Sequence, residues 1–204
     1  MHQPVNSRAR GFSLIEVLIA LLVISIGLLG IAKMQALALA NTNGGRLRAL
    51  ASIEAASLAA TMQAERNYWG NLTATETVTV TGAGGSATVS SAQDGTFNAT
   101  VTCPASTAAA STTVSACGGS GTLNCTSTAT PCTAQKMAAY DMQQWAGRLQ
   151  EVMGTSAAQI LCTYNTTLPV SCQITVNWAE ETVNANASET GTMAAPSYTL
   201  FVNP

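Results

Sequence analysis

An apolar run fills residues 12–32, broken by a single acid, Glu16. About 20 such residues suffice to span a bilayer as a helix. Helical spacing continues past the run. Ile31, Met34, Leu37 and Ala38 share it, and Arg46, Arg48, Glu54, Glu65 and Arg66 then fall between Leu47, Leu50, Leu58 and Met62. The pattern predicts one helix over about 12–66, apolar on all sides at first and amphipathic later. At 1.5 Å per residue it would be roughly 80 Å long. Two adjacent glycines in Asn41-Thr-Asn-Gly-Gly45 cost about 2 kcal/mol of helix propensity, which predicts a kink or local unwinding. Gly27 and Gly30 predict close helix packing or local melting within the apolar run. Asn67-Tyr-Trp-Gly70 predicts the helix end.

Beyond it, residues 75–81 and 96–102 alternate with period two, as two strands or one hairpin would. Residues 104–132 are rich in Ser, Thr, Ala and Gly and almost uncharged, which predicts a long loop stapled by cysteines. A second helix is expected after Pro131, with Thr133 as N-cap and Gly154 as C-cap. Its apolar face is Ala138, Met142, Trp145, Leu149 and Val152. Three strands complete the chain at 159–164, 171–178 and 197–202. In them Ile174, Val176 and Trp178 alternate, as do Tyr198, Leu200 and Val202. The expected class is α+β, with the later half of the long helix packed on an antiparallel sheet.

Charge and composition narrow this picture. The chain has 204 residues, a formal charge of −2 and only 9% charged residues. Without Arg8 and Arg10, which precede the apolar run, the side-chain charge is −4. No basic excess remains for nucleic acid. All six cysteines lie beyond position 100: Cys103, Cys117, Cys125, Cys132, Cys162 and Cys172. An even count in a non-cytoplasmic segment predicts disulfides. Zinc would favour C-x2-C pairs or added histidines, and the lone histidine is His2. Cys162 and Cys172 flank a turn containing Asn165 and Pro169, so a hairpin disulfide is expected between them. The other four can pair in three ways; a nested Cys103–Cys132 and Cys117–Cys125 arrangement is favoured.

Little points to catalysis. The single histidine, His2, precedes the apolar run, so the chain beyond that run offers no histidine base. No phosphate-binding or dinucleotide fingerprint is present, and Asp141 and Glu151 read as solvated charges. No catalytic residue, cofactor or metal is expected. Tyr68, Trp69, Tyr164 and Tyr198 could line a contact surface, but core or subunit packing is the simpler reading. Asn-x-Ser/Thr sequons at Asn71, Asn98, Asn124, Asn165 and Asn186 follow from a Thr-rich composition.

The N-terminal run has three readings. An ordinary secretory signal would use the A-x-A sites around Ala36–Ala40, but its apolar core is normally about 7–15 residues and carries no acid. A plain anchor, held with its N-terminus in the cytoplasm by Arg8 and Arg10, leaves Glu16 unexplained. The stretch Arg10-Gly-Phe-Ser-Leu-Ile-Glu-Val-Leu18 resembles the class III leader of type IV prepilins and type II secretion pseudopilins. That resemblance implies peptidase cleavage between Gly11 and Phe12, N-methylation of Phe12, and a role in assembly for Glu16, fifth in the mature chain. In a filament, the Phe12 amine of one subunit can neutralise Glu16 of another and offset two desolvation costs. The absence of proline from the apolar run departs from common major pilins.

A finer resemblance comes from Pro131-Cys-Thr-Ala-Gln-Lys-Met-Ala-Ala-Tyr-Asp-Met-Gln-Gln-Trp145, the Cys162…Cys172 pair, Ile174-Thr-Val-Asn-Trp178 and Ile24-Ser-Ile-Gly-Leu-Leu-Gly-Ile-Ala-Lys-Met-Gln35. These resemble the PilV-type minor pilins, or type IV pilus modification proteins, whose subunits help to prime pilus assembly near the fibre tip. The implied organisation is a leader at 1–11, a membrane and assembly helix at 12–32, an amphipathic half at 33–66 and a head domain at 67–204. The implied partners are other minor and major pilins, the prepilin peptidase, the inner-membrane assembly platform and, before assembly, membrane lipid. A minor pseudopilin is the main alternative.

Overall fold

The computed structural model describes residues 13–83, 85–103, 117–126, 131–180 and 195–204. The chain divides into two units, Met1–Thr42 and Asn43–Pro204. Helix α1, Leu14–Ala64, runs without interruption. The expected unwinding at Asn41–Gly45 is therefore absent, and Gly27 and Gly30 are likewise helical. Helix hydrogen bonds on either side outweigh the propensity deficit of two glycines. A short helix α2, Arg66–Trp69, ends at Gly70.

The second unit contains a seven-stranded antiparallel sheet: β1 Glu76–Ala83, β2 Ser86–Ser91, β3 Ala99–Thr102, β4 Gly118–Ser120, β5 Ser156–Thr163, β6 Ser171–Trp178 and β7 Ser197–Val202. Its order is β4-β3-β2-β1-β5-β6-β7. The two sequence-expected strands near 75–81 and 96–102 do not pair with each other. Both pair with β2, which lies between them. Short Ser/Ala/Thr-rich strands such as β2 carry a weak periodic signal, and β4 was hidden for the same reason.

Alternation places one face of the sheet inward. Val78, Ile160 and Ile174 form one cross-strand row, and Val80, Ala158 and Val176 another. All are buried, as are Ala87, Val89, Val101 and Trp178. Helix α3, Ala134–Met153, buries Ala138, Ala139, Met142, Trp145, Ala146 and Leu149 in the same core, joined by Ala51, Ala55, Leu58 and Met62 of α1. Thr133 caps α3 by accepting from the Lys136 amide, and Gly154 ends it in a left-handed conformation, φ 69°. Val152 departs from the expected face and is 38% exposed, while the adjacent Met153 is buried in its place.

Three disulfides are present. Cys162 bonds Cys172 across directly opposed positions of β5 and β6. Cys103 bonds Cys117, and Cys125 bonds Cys132. The nested pairing expected from the sequence is thus replaced by two sequential bridges. The reason is the β3–β4 hairpin: Thr102 opposes Gly118, which brings the flanking Cys103 and Cys117 to a Cα separation of 4.2 Å. Cys125 and Cys132 lie 5.6 Å apart at the entry to α3. The Cys103–Cys117 bridge rests on α3 at Gly147, where a Cβ would collide with both sulfurs.

Candidate assembly site and head-domain polar clusters

The first turn of α1 carries Glu16, whose amide donates to the Ser13 carbonyl at 3.0 Å. A carboxylate there complements the positive end of the helix dipole. Glu16 is exposed, and the only ion pair among the described residues joins Arg48 Nε to Glu180 Oε1 at 3.6 Å. Gly11 and Phe12, the expected cleavage and methylation positions, lie outside the described residues.

Around and beyond Glu16, the helix exposes apolar side chains on every side. Leu14, Leu18, Leu22, Ile26 and Leu29 are each more than half exposed, and so are Ile15, Ile19, Val23 and Ile24. α1 is the one described helix long and apolar enough to cross a membrane, with a window of mean hydropathy 2.8. A helix apolar all round has its solvent in lipid or in neighbouring helices. The hydroxyl of Ser25 returns to the Leu21 carbonyl at 2.7 Å and so asks nothing of that solvent.

The glutamines of α3 gave no pattern by which the sequence could single them out. Gln144 accepts from the Cys117 amide at 2.7 Å and donates to its carbonyl at 2.8 Å. Gln143 accepts from the Leu123 amide at 2.9 Å. Buried Gln150 donates to the Ser156 carbonyl and hydroxyl and packs where only a glycine, Gly82, leaves room. These contacts tie the cysteine-rich segment and the sheet to α3.

Of the aromatics, Trp69 is buried while Tyr68 is half-buried; both meet Phe97. Tyr68 donates to Asp94 Oδ2 at 2.9 Å, and Gln135 Nε2 donates to the same oxygen at 2.8 Å. Burial and then the Asp94 contact push the Tyr68 hydroxyl well above its ordinary pKa. Burial alone would raise Asp94, but hydrogen bonds from Gln135, Thr96 and Tyr68 outweigh it and hold the carboxyl below its usual value.

Asp141 is not the solvated charge the sequence suggested. It is half-buried, and burial raises its pKa against the opposing pull of Arg148. Burial also raises Glu54 against Arg148, and it raises Glu65 with help from Asp141. Nothing in this cluster pairs a nucleophile with a base. No group of three or more His, Cys, Asp or Glu side chains among the described residues is arranged to hold a metal ion.

The comparisons bear on the N-terminal segment. No curated protein and no solved structure matches the chain. Residues 6–32 match the family described as the prokaryotic N-terminal methylation motif. Gly11, Phe12 and Glu16 all fall inside that match, which covers the last six residues of the expected leader and the first turns of α1. The chain therefore carries a prepilin-type N-terminus on an apolar helix, followed by a disulfide-bonded α+β unit, as pilin-like proteins do.

Proposed function

We propose that this chain is a structural minor pilin of the PilV type and not an enzyme. It is made as a prepilin, waits in the bacterial inner membrane with its N-terminus cytoplasmic and its head periplasmic, and is cut between Gly11 and Phe12. It then enters a type IV pilus with other minor and major pilins, through the assembly platform, at or near the tip. The observation that carries the reading is the methylation-motif match at 6–32 running directly into a helix apolar on all faces. Glu16 supplies the assembly contact: the methylated Phe12 amine of one subunit neutralises the Glu16 carboxylate of another, which neither partner can achieve alone in an apolar surround.

N-terminal mass spectrometry of membrane-extracted protein tests the processing step. The expected terminus is N-methylated Phe12; a terminus at Asn41 would mark an ordinary secretory signal and overturn the proposal. Glu16→Ala removes a charge from an apolar span, so cleavage and membrane insertion should persist. Its recovery in sheared pili should fall at least tenfold, the change produced by about 1.4 kcal/mol. Recovery at the wild-type level would eliminate the pairing role.

A further inference from the structure

Glu76 opens β1 on the inward face of the sheet, opposite Cys162 of β5. It is only 3% exposed. One carboxylate oxygen, Oε1, meets the hydroxyl of Ser91. That hydroxyl already accepts from the amides of Gln93, at 3.2 Å, and Asp94, at 2.7 Å. Its lone pairs are thereby used, so its single proton is directed to Glu76, and Oε1 acts as an acceptor. No described residue serves Oε2, and Glu76 makes no ion pair among the described residues.

Glu76 also lines a cavity of about 250 Å³ with Asn67, Tyr68, Asn71, Thr73 and Gln93 among its walls, and no lysine or arginine lines it. The Asn71 amide nitrogen is committed to the Asn67 carbonyl at 3.1 Å, which leaves its side-chain oxygen as an acceptor. A nearly buried carboxylate without a counter-charge is costly, and here it stands at the edge of a space large enough for a side chain.

From this geometry we infer that the Glu76 cavity is a binding site for a basic side chain, the ammonium or guanidinium group of a partner protein. The charge count argues for a monovalent organic cation. The neighbouring carboxylate, Asp94, has both oxygens engaged, by Thr96 on one side and by Tyr68 and Gln135 on the other. A single available carboxylate matches one positive charge, whereas calcium seeks six to eight oxygens and usually several carboxylates. Amide oxygens beside apolar lining such as Leu72 suit a cation carried on an apolar stem. The site lies wholly in the second unit and stands independently of the N-terminal processing.

The test is an NMR titration of the full chain in detergent micelles with arginine amide and lysine amide at constant ionic strength. Saturable shifts are expected at the side-chain amides of Asn67, Asn71 and Gln93. The Kd should be on the order of 1 mM, as ligand efficiency sets for a molecule of that size. Glu76→Gln keeps the Ser91 contact but removes the charge, and should weaken binding at least tenfold without lowering Tm. Thr73→Arg places a cation at the cavity wall from within; it should raise Tm and exclude the probe, and it serves as the decisive variant if Glu76→Gln does not fold. The inference fails if neither amide gives saturable shifts, if Glu76→Gln or Thr73→Arg binds like the parent, or if calcium chloride alone reproduces the shifts.

Discussion

Leu22 and Leu58 belong to the same helix, yet one is 61% exposed and the other 1%. Their residue type and local conformation are the same; what differs is the periodicity of their neighbourhood. Around Leu22 every helix face is apolar, so no single face can be satisfied by one sheet. Around Leu58 the apolar positions narrow to Ala51, Ala55, Leu58 and Met62, a stripe at spacings of four, three and four that one core can cover. Even there, Ile53 is 61% exposed because it lies off the stripe. Hydrophobicity selects the early segment for an apolar solvent, and periodicity selects the later segment for a protein core.

Removing the centre of that core should have the largest effect. Trp145 is fully buried, and its ring nitrogen donates to the Glu54 backbone carbonyl of α1 at 3.0 Å. Trp145→Ala should destabilise the head by about 3–5 kcal/mol, read as a large fall in Tm of the detergent-solubilised chain, while membrane retention is unchanged. Loss of membrane retention together with Tm would break the distinction between the two regions.

The converse substitution is Leu22→Arg. A charge at the centre of the apolar run costs roughly 2.5–3.5 kcal/mol on insertion scales. The membrane-retained fraction should drop sharply in fractionation, and the Tm of the correctly folded head should stay within about 1 °C, since surface changes away from the core are usually small. A head that melts earlier would mean that the apolar run contributes to the core after all.

The smallest effect sharpens the polar side of the later segment. The raised folded pKa of Asp141 means that the folded chain binds this proton more tightly than the unfolded chain does. The associated stability is full below the ordinary carboxylate range and is lost as pH rises through the folded value. Asp141→Asn should remove that loss, so the variant's Tm advantage over the parent should grow from pH 3 to pH 7. Solvent screening at a half-exposed site leaves only a few tenths of a kcal/mol, about 1 °C for a chain of this size. An advantage that shrinks with rising pH would reverse the assigned sign.

Legibility followed signal strength. The 171–178 and 197–202 strands and the Thr133-to-Gly154 helix were readable because Ile174, Val176 and Trp178 alternate and because caps have their own chemistry. β2 and β4 were not, since Ser, Ala, Thr and Gly contribute little contrast between faces. Glu16 stood out as an acid in an apolar run, whereas Glu76 did not, because an acid beside Thr-rich alternation looks like the start of an exposed face. Only the register that puts Glu76 level with Val78 and Val80 on the inward side makes it unusual.

The sequence by itself determined the α+β class, the long helix with its change from uniform to striped apolarity, the prepilin-type motif and the pairing of Cys162 with Cys172. These rest on local rules: side-chain period, capping, and a short hairpin closed on itself. Tertiary structure decided which strands neighbour which, the sequential pairing of Cys103 with Cys117 and Cys125 with Cys132, the glutamine contacts of α3 and the burial of Glu76. The two bridges span only 14 and 7 residues, but their choice over the nested alternative follows from the pairing of β3 with β4 and the entry into α3. The other outcomes depend on groups far apart in the chain, whose encounter is set by the packing of the whole sheet and α3, and no local pattern encodes it.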